Sequence, residues 1–465
     1  MRLSSSGLRT AVAAAAVGLT FALVAASPAR ADTTFEYMPG FDDPGTPDDL
    51  DRVGVLKVGP EKARNVLVLN PGTSASAAYF RPLASFIVDE TKGWQVWAVE
   101  RRENQLEDHS VFDQAKAEQV STQRMFEYYL GFLTDPNVTD HFQFIPDDEV
   151  GFARGWGMNV EIEDLRRVVA NAQKHGRRVV LGGHSLGGSI TTAYATWDFK
   201  GKPGAKGLDG LVYIDGGSNP APITTDEANQ DLAELGAGSP WLTFGGIPAP
   251  FAGLFNTVGS TGTHLEPNGV GELQTWPLLP DNLKPPVLAT NQGAYGFALD
   301  TETSPSGLIA AQAHLGHLAD SGSPRPWVDD EITPIDRYTQ MFSGTGLEGL
   351  DGTAWYHPMR LTIDSGAVAA GNPNPAQQVL DVHATHGDDL SRKLRIYAFG
   401  AALGGQRVLD AATVLANQSG IPDGNVTLVN REATYAHNDP NSAFPENVFV
   451  EELTKFLATI QKGKG

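Results

Sequence analysis

The chain has 465 residues, of which 41% are hydrophobic and 19% are charged, a composition typical of a globular protein with one large or two ordinary domains. Its formal net charge of −21 at pH 7 argues against nucleic acid and anionic membrane surfaces as partners. It contains no cysteine, which excludes thiol catalysis, disulfide exchange and cysteine-based zinc sites.

The first 31 residues have the three parts of a secretory signal peptide. A basic start is followed by the apolar run AVAAAAVGLTFALVAA and by the small-residue site Ala29-Arg30-Ala31. The apolar run is short for a membrane span, which needs about 20 residues, and its alanines are weakly hydrophobic. We therefore expect cleavage after Ala31, secretion, and no stable membrane anchor.

From residue 64 onward, strand-like and helix-like segments alternate. Short apolar runs predict buried strands, and segments with apolar residues on one helical face predict the helices between them. The predicted strands are 64–69, 94–99, 178–182, 211–214, 394–399 and 426–430, and the predicted helices are 77–90, 160–174, one from about 186, 408–417 and a closing helix at 450–460. This alternation implies crossover connections and a mostly parallel central sheet flanked by helices.

The alternation is interrupted between the two halves of the predicted sheet. Residues 218–392 are rich in glycine, proline and aromatic residues and contain few strand-like runs. We therefore predict a core formed by 32–217 and 393–465, with 218–392 inserted as a large cap or lid over the edge of the sheet. The stretch 104–157 is also rich in aromatic residues, which are expected to form local core.

The pentapeptide Gly183-His184-Ser185-Leu186-Gly187 lies between a predicted strand and a predicted helix. It fits the pattern G-x-S-x-G of a nucleophile elbow, a strained turn that lifts a serine hydroxyl above the carboxyl edge of a sheet. Glycines are needed there because Cβ atoms would collide with the adjoining strand and helix. The pattern therefore predicts a nucleophilic serine at residue 185.

With this elbow inside an alternating pattern, the chain resembles the α/β-hydrolase superfamily, and GHSLGG is most similar to its lipases and esterases. The resemblance covers about 64–217 and 394 to the end, and it does not extend to the insertion. It implies an α/β-hydrolase fold in which serine, acid and histidine follow in that order. It also implies that His437 is the catalytic histidine, because the superfamily keeps this residue between the last strand and the closing helix.

The acid is where the sequence departs from the usual pattern of the family. Most members carry it after the penultimate strand, but here that loop, 400–407, contains no carboxylate. Asp215 ends an earlier strand, where pancreatic-type lipases place their acid, and an aspartate at this place has only a supporting role in other hydrolases. Asp410 lies just beyond the vacant loop. Both candidates stay open, and Asp215 is the first choice.

The resemblance also implies an oxyanion hole made of two backbone N–H groups. One belongs to Leu186, the residue after the nucleophile. The other is expected from Thr73, because the loop 70–74 stands where relatives carry a His-Gly-x loop. Proline replaces the usual histidine in this loop, so the register of the donor is open by about one residue.

Two groups of histidines and aspartates have a spacing that metal sites use. The groups are His314, His317 and Asp320, and His383, His386 and Asp388. Both lie in the insertion, and short histidine pairs are common by chance. We expect no metal at either group and no cofactor.

These features predict a secreted serine hydrolase that cleaves carboxylic esters of small-molecule or lipid-like substrates through an acyl-enzyme on Ser185. No oligomeric state is indicated. The apolar and aromatic insertion suits a hydrophobic acyl or aryl group. Amidases and acyltransferases can use the same residues, and a non-catalytic secreted binding protein on a hydrolase scaffold is the alternative from another class.

Overall fold

The structure, a computed structural model, describes residues 32–462. The predicted signal peptide, residues 1–31, lies outside this range. Within 32–462, no helix combines the length and the apolar character needed to cross a bilayer.

Within the described range, eight strands form one central sheet. In chain order they are β1 (Thr33–Pro39), β2 (Arg52–Val58), β3 (Asn65–Asn70), β4 (Trp94–Glu100), β5 (Arg178–His184), β6 (Gly210–Ile214), β7 (Arg395–Gly400) and β8 (Val426–Asn430). Their order across the sheet is β1-β2-β4-β3-β5-β6-β7-β8. Strand β2 is antiparallel to β1 and to β4, and all other neighbouring pairs are parallel.

The parallel strands β3 to β7 are buried on both faces of the sheet, whereas the edge strand β8 is partly exposed. In β3, Val66 and Val68 belong to one buried cluster, and Leu67 and Leu69 belong to the cluster on the opposite face. Burial on both faces produces the nearly continuous apolar runs from which β3 to β7 were predicted. Strand β8 was predicted from its apolar residues although it lies at the exposed edge. The two first strands were not predicted, because β1 is half-exposed along its length and β2 is interrupted by Gly54 and a lysine.

Fourteen α-helices occur in the described part of the chain. They are α1 (Arg81–Glu90), α2 (Ser110–Lys116), α3 (Thr122–Tyr129), α4 (Met158–Ala172), α5 (Leu186–Thr196), α6 (Thr225–Ala237), α7 (Ala249–Leu265), α8 (Asn291–Leu299), α9 (Ile335–Ser343), α10 (Met359–Ser365), α11 (Pro375–Leu380), α12 (Gly405–Gln418), α13 (Asp439–Ser442) and α14 (Val448–Lys462). Short 3₁₀ helices occupy Ala78–Phe80, Arg102–Leu106, Gly131–Leu133, Gly151–Gly155, Lys174–Gly176, Glu272–Thr275, Asp281–Leu283, Ser306–Ala311 and Asp423–Asn425.

Helices cover both faces of the sheet. Residues of α4, α5 and α12 share one buried cluster, and residues of α1 and α14 share the other. The closing helix α14 buries Val450, Leu453, Leu457 and Ile460, which have the spacing of a single helical face. This apolar face packs against the sheet. The carboxyl ends of the parallel strands therefore meet at one edge of a three-layered core.

The segment between β6 and β7 contains α6 to α11 and two small antiparallel ribbons. The ribbons pair Thr243–Phe244 with Ile247–Pro248, and His317–Leu318 with Trp327–Val328. Leu361 and Leu380 join the cluster on the α5 face of the sheet, whereas Tyr338 joins the cluster on the α1 face. The segment thus packs against both sides of the core.

A third buried cluster, half of which is aromatic, brings 104–157 together with the segment between β6 and β7. Trp355 is completely buried within it. Its ring meets those of Phe112, Tyr129 and Phe142 edge to face, with centroid distances of 5.7 to 6.0 Å. The aromatic residues of 104–157 therefore do not form a purely local core, because a tryptophan from far along the chain packs among them.

Candidate active site

Ser185 lies at the turn between β5 and α5, with φ 56° and ψ −125°. A non-glycine residue keeps such a conformation only where its surroundings determine it. A Cβ added at Gly183 would lie 2.2 Å from the carbonyl oxygen of Gly187, and one added at Gly187 would lie 2.1 Å from that of Asn70. Only glycine fits these two positions, and the serine is held at the carboxyl edge of the sheet.

His437 and Asp215 form a buried pair although they are 222 positions apart in the sequence. Nδ1 of the imidazole lies 2.6 Å from Oδ2 of the carboxylate, and the two side chains are 2% and 0% exposed. Because a carboxylate only accepts hydrogen bonds, the proton is on Nδ1. Nε2 of His437 is then the ring nitrogen that can take a proton.

The loop that lacks a carboxylate supports Asp215 with its backbone. Four of its N–H groups donate to the Asp215 carboxylate at 2.7 to 3.2 Å, those of Ala401, Leu403, Gly404 and Gly405. Burial would raise the pKa of Asp215, but the hydrogen bond and charge of His437, the N–H of Ala401 and the charge of His184 outweigh it and lower the pKa. The carboxylate is therefore held ionised beside the imidazole.

Asp410, the other candidate for the acid, lies on α12 and is exposed. Its Oδ1 accepts a hydrogen bond from Nε2 of Gln406 at 2.9 Å. The structure thus places Asp215, and not Asp410, against His437.

His184, which sequence reasoning passed over, packs against His437 with the ring centroids 4.2 Å apart. Its Nε2 donates to the carbonyl oxygen of His437 at 2.9 Å, and its Nδ1 lies 2.9 Å from the hydroxyl of Tyr79. Burial, aided by the charge of His437, lowers the pKa of His184 to about 3. A neutral imidazole therefore fixes the backbone of His437. The signal available in the sequence is a hydrogen-bonding residue directly before the serine of the elbow.

Acid is expected to destabilise the protein through His184. The unfolded imidazole, with a pKa of roughly 6.5, binds a proton at pH values where the folded one, with a pKa of about 3, stays neutral. The unfolded state therefore holds more protons between these two values, and the free energy of unfolding falls as the pH falls through this window. Urea unfolding at about pH 7 and about pH 5 measures the fall, which should be smaller in His184→Gln than in the wild type. Equal falls in the two proteins would contradict this assignment.

The loop after β3 passes close to Ser185. A Cβ added at Gly72 would lie 2.9 Å from Cβ of Ser185 and 3.5 Å from its Oγ. Thr73 follows directly and lines the same cavity as the serine. Leu186 is the first residue of α5, and the first N–H groups of a helix have no partner within the helix. The two residues expected to supply the oxyanion donors therefore lie near the serine, Thr73 in the adjacent loop and Leu186 next along the chain.

Arg101, which was not predicted from the sequence, binds the backbone of the loop after β3. Its buried guanidinium donates to the carbonyl oxygens of Pro71, Gly72 and Ala75 at 3.0 to 3.1 Å. Its Nε pairs with Glu103 at 2.7 Å, so the buried charge is compensated. Arg101 therefore fixes the backbone of the loop that passes over the serine.

Ser185 and His437 line one cavity of about 550 Å³. Its walls are mainly apolar and come from α3, α7, α8, α9 and the loops between them. The larger apolar side chains in the walls are Met125, Phe126, Phe251, Phe255, Val258, Leu273, Leu279, Tyr295, Leu299, Leu308 and Phe342. Phe244, Ile247 and Leu278 also line the cavity and are 38%, 39% and 49% exposed, so it opens to solvent beside them.

The two histidine groups considered as metal ligands are dispersed. Each histidine pairs with a different aspartate: His314 with Asp439, His317 with Asp330, His383 with Asp381 and His386 with Asp198, at 2.5, 3.2, 3.0 and 3.2 Å. Over residues 32–462, neither group brings three donor atoms together. The pair of His314 and Asp439 instead fixes the loop before His437, because Asp439 also accepts a hydrogen bond from the backbone N–H of Ala436 at 2.6 Å.

No family model matches the chain, and no curated protein matches it in sequence. Its structure is similar to that of a putative lipase from Sulfolobus solfataricus, with 14% identity, a TM-score of 0.47, and coverage of 94% of this chain and 95% of that one. A lipase in its open form shows 15% identity, a TM-score of 0.42 and coverage of 92% and 99%. A soluble variant of monoglyceride lipase from Saccharomyces cerevisiae, in complex with a substrate analog, shows 12% identity and a TM-score of 0.39. The match covers 92% of this chain and 95% of that one.

The order of the eight strands, the helices on both faces and the strand–turn–helix at Ser185 give this chain the α/β-hydrolase fold. The predicted fold class is confirmed, and so is the resemblance to the α/β-hydrolases as far as it concerns the fold.

Proposed function

We propose that this chain, with the fold of the α/β-hydrolases, is a serine hydrolase that cleaves carboxylic esters with a long apolar acyl group. The observation that carries the proposal is the mainly apolar cavity lined by both Ser185 and His437. Its volume of about 550 Å³ lies within the usual range of ligand sites. Secretion, as expected from residues 1–31, is part of the same proposal.

In the proposed reaction, Oγ of Ser185 attacks the ester carbonyl while Nε2 of His437 takes its proton. Asp215 accepts the Nδ1–H of the imidazole and stabilises the imidazolium. The backbone N–H groups of Leu186 and Thr73 donate to the oxyanion of the tetrahedral intermediate. His437 then gives its proton to the departing alkoxide, and water, activated by the same base, releases the acid from Ser185.

The walls of the cavity favour an acyl chain over a polar acyl group. Aromatic and aliphatic side chains dominate them, and a buried polar group without a hydrogen-bond partner is strongly disfavoured. Each methylene that enters such a cavity contributes about 0.8 kcal/mol. Affinity for the transition state should therefore rise with chain length until the cavity is filled.

A series of p-nitrophenyl esters from acetate to palmitate tests the proposed function. We expect kcat/KM to rise with acyl length, by about threefold to fourfold for each methylene that is buried. The matching p-nitroanilides distinguish an esterase from an amidase. A folded protein that turns over no ester of the series would refute the proposed function.

Filling the cavity at Gly262 is expected to shorten the preferred acyl chain. A Cβ added there meets only Cε of Met125, at 3.9 Å, so the side chain of Gly262→Leu extends into free space. By displacing two or more methylenes it should lower kcat/KM for the palmitate ester by about tenfold or more relative to the butyrate ester. The matched control is Gly236→Leu, an exposed helical glycine with no neighbouring atom within 4 Å, which should leave that ratio unchanged. Equal ratios in both variants would place the acyl chain elsewhere.

A further inference from the structure

Three buried donor groups converge outside the set of residues that line the cavity. Nε2 of His109 lies 3.2 Å from Oε2 of Glu107 and 3.2 Å from Oδ2 of Asp351. The side chains of His109, Glu107 and Asp351 are 8%, 1% and 0% exposed. Across residues 32–462, this is the one group in which three such donor atoms lie within 4.8 Å of one another.

Nε2 of His109 makes no hydrogen bond to any described residue, although the residue is more than nine-tenths buried. Both carboxylate oxygens are near the nitrogen, yet neither meets it with the direction that a hydrogen bond requires. One cation between the three atoms would bind Nε2 of His109 and both carboxylates at once.

The two distances from Nε2 of His109 are close to those of a tetrahedral zinc site, and all three donor atoms lie within 4.8 Å of one another. Ligand atoms bound to Zn²⁺ at 2.0–2.2 Å lie about 3.3 to 3.6 Å from each other, slightly more than the two 3.2 Å contacts of His109. A nitrogen with two carboxylate oxygens suits Zn²⁺, whereas Ca²⁺ takes six to eight oxygens. Two carboxylates also balance the charge of a divalent cation. A water molecule would be the fourth ligand of such an ion.

Hydrogen bonds hold both carboxylates in place. The backbone N–H of Trp355 donates to Oε1 of Glu107 at 2.7 Å. The N–H and hydroxyl of Thr353 donate to Oδ1 of Asp351 at 2.6 and 2.7 Å, and Nε1 of Trp355 donates to its Oδ2 at 3.0 Å. Outer hydrogen bonds of this kind orient the ligands of protein metal sites.

We propose that Glu107, His109 and Asp351 bind a structural Zn²⁺. The ion would join the start of α2 to the segment 351–355. That segment is bonded to the loop beside the candidate nucleophile, since the N–H of Ala354 donates to the carbonyl oxygen of Ser74 at 2.9 Å. The zinc therefore stabilises the backbone around the oxyanion loop and takes no part in the reaction.

The test begins with full-length protein unfolded in guanidinium with a chelator, then refolded with or without equimolar Zn²⁺. After gel filtration, the zinc-refolded protein should hold about one equivalent of zinc by mass spectrometry and unfold at a higher temperature than the metal-free protein. Refolding with Co²⁺ should give the visible absorption bands of a four-coordinate site. Refolded wild type that holds neither metal would overturn the proposal.

Two variants assign the zinc to this cluster. His109→Gln should retain less than about one tenth of an equivalent, and its unfolding temperature should no longer respond to zinc. The control, His317→Gln, removes an exposed histidine that faces Asp330 at 3.2 Å, and should bind zinc as the wild type does. Zinc retained by His109→Gln as by the wild type would overturn the proposal. If that variant does not fold, the zinc content of Glu107→Gln is measured in its place, and zinc retained there as in the wild type would overturn the proposal. The zinc and cobalt results for the wild type do not depend on either variant.

Discussion

Replacing Ser185 by alanine is expected to lower kcat for a good ester substrate by a factor on the order of 10⁶, with little change in KM. The reason is that the variant has no nucleophile to form the acyl-enzyme, while the cavity that binds the acyl chain is intact. Backbone donors and binding alone leave a residual acceleration of about 10³–10⁴ over water. The loss should therefore be large and still incomplete.

A fluorophosphonate probe measures the same prediction without a substrate assay. It should label the wild type at one site and should not label Ser185→Ala. Ser189→Ala is the matched control, because Ser189 lies one turn along α5 and its hydroxyl donates to the carbonyl oxygen of Gly217 at 2.6 Å. Labelling of Ser185→Ala at the rate of the wild type would show that another residue is the nucleophile. A wild type without any labelling would favour the non-catalytic binding protein.

The sequence predicted the parallel part of the sheet because burial on both faces leaves a readable signal. Strands β3 to β7 are mainly apolar and buried on both faces, and β8 is mainly apolar although it lies at the edge. The predicted ends of these six strands differ from the observed ones by two residues at most. Strands β1 and β2 carry no such signal. One is half-exposed, and Gly54 and Lys57 interrupt the other, so these strands are defined by their pairing and not by their own composition.

The candidate site was predictable only where one local motif specifies it. The elbow around Ser185 is encoded within five residues, and the position of His437 follows from the resemblance. Local sequence cannot distinguish Asp215 from Asp410, because the choice depends on which carboxylate the backbone of a distant loop surrounds. The same applies to Arg101, whose partners are carbonyl groups of another loop and leave no trace in residue identity.

Replacing Asp215 by asparagine is expected to lower kcat by about 10⁴-fold, with KM little changed. Oδ1 of Asp215 accepts three backbone N–H groups, so the amide oxygen of the introduced asparagine must occupy that position. The amide nitrogen then faces Nδ1 of His437 and donates to it. The ring proton moves to Nε2, which can no longer accept the proton of Ser185. A substitution that conserves shape therefore removes the base, and the three backbone donors to Oδ1 are the reason.

Asp410→Asn is the control for this change, because the carboxylate of Asp410 is exposed and bonded only to Gln406 among the described residues. Its kcat should stay within about twofold of the wild type, since it does not touch the imidazole. Both variants should unfold cooperatively near the wild-type temperature, which separates a lost base from a lost fold. A loss below about tenfold in Asp215→Asn would remove Asp215 from the proposed mechanism, whatever its distance from the imidazole. A loss of about 10⁴-fold confined to Asp215→Asn would show that Asp215, directly after β6, is the catalytic acid. The loop 400–407 would then support this carboxylate through its backbone N–H groups.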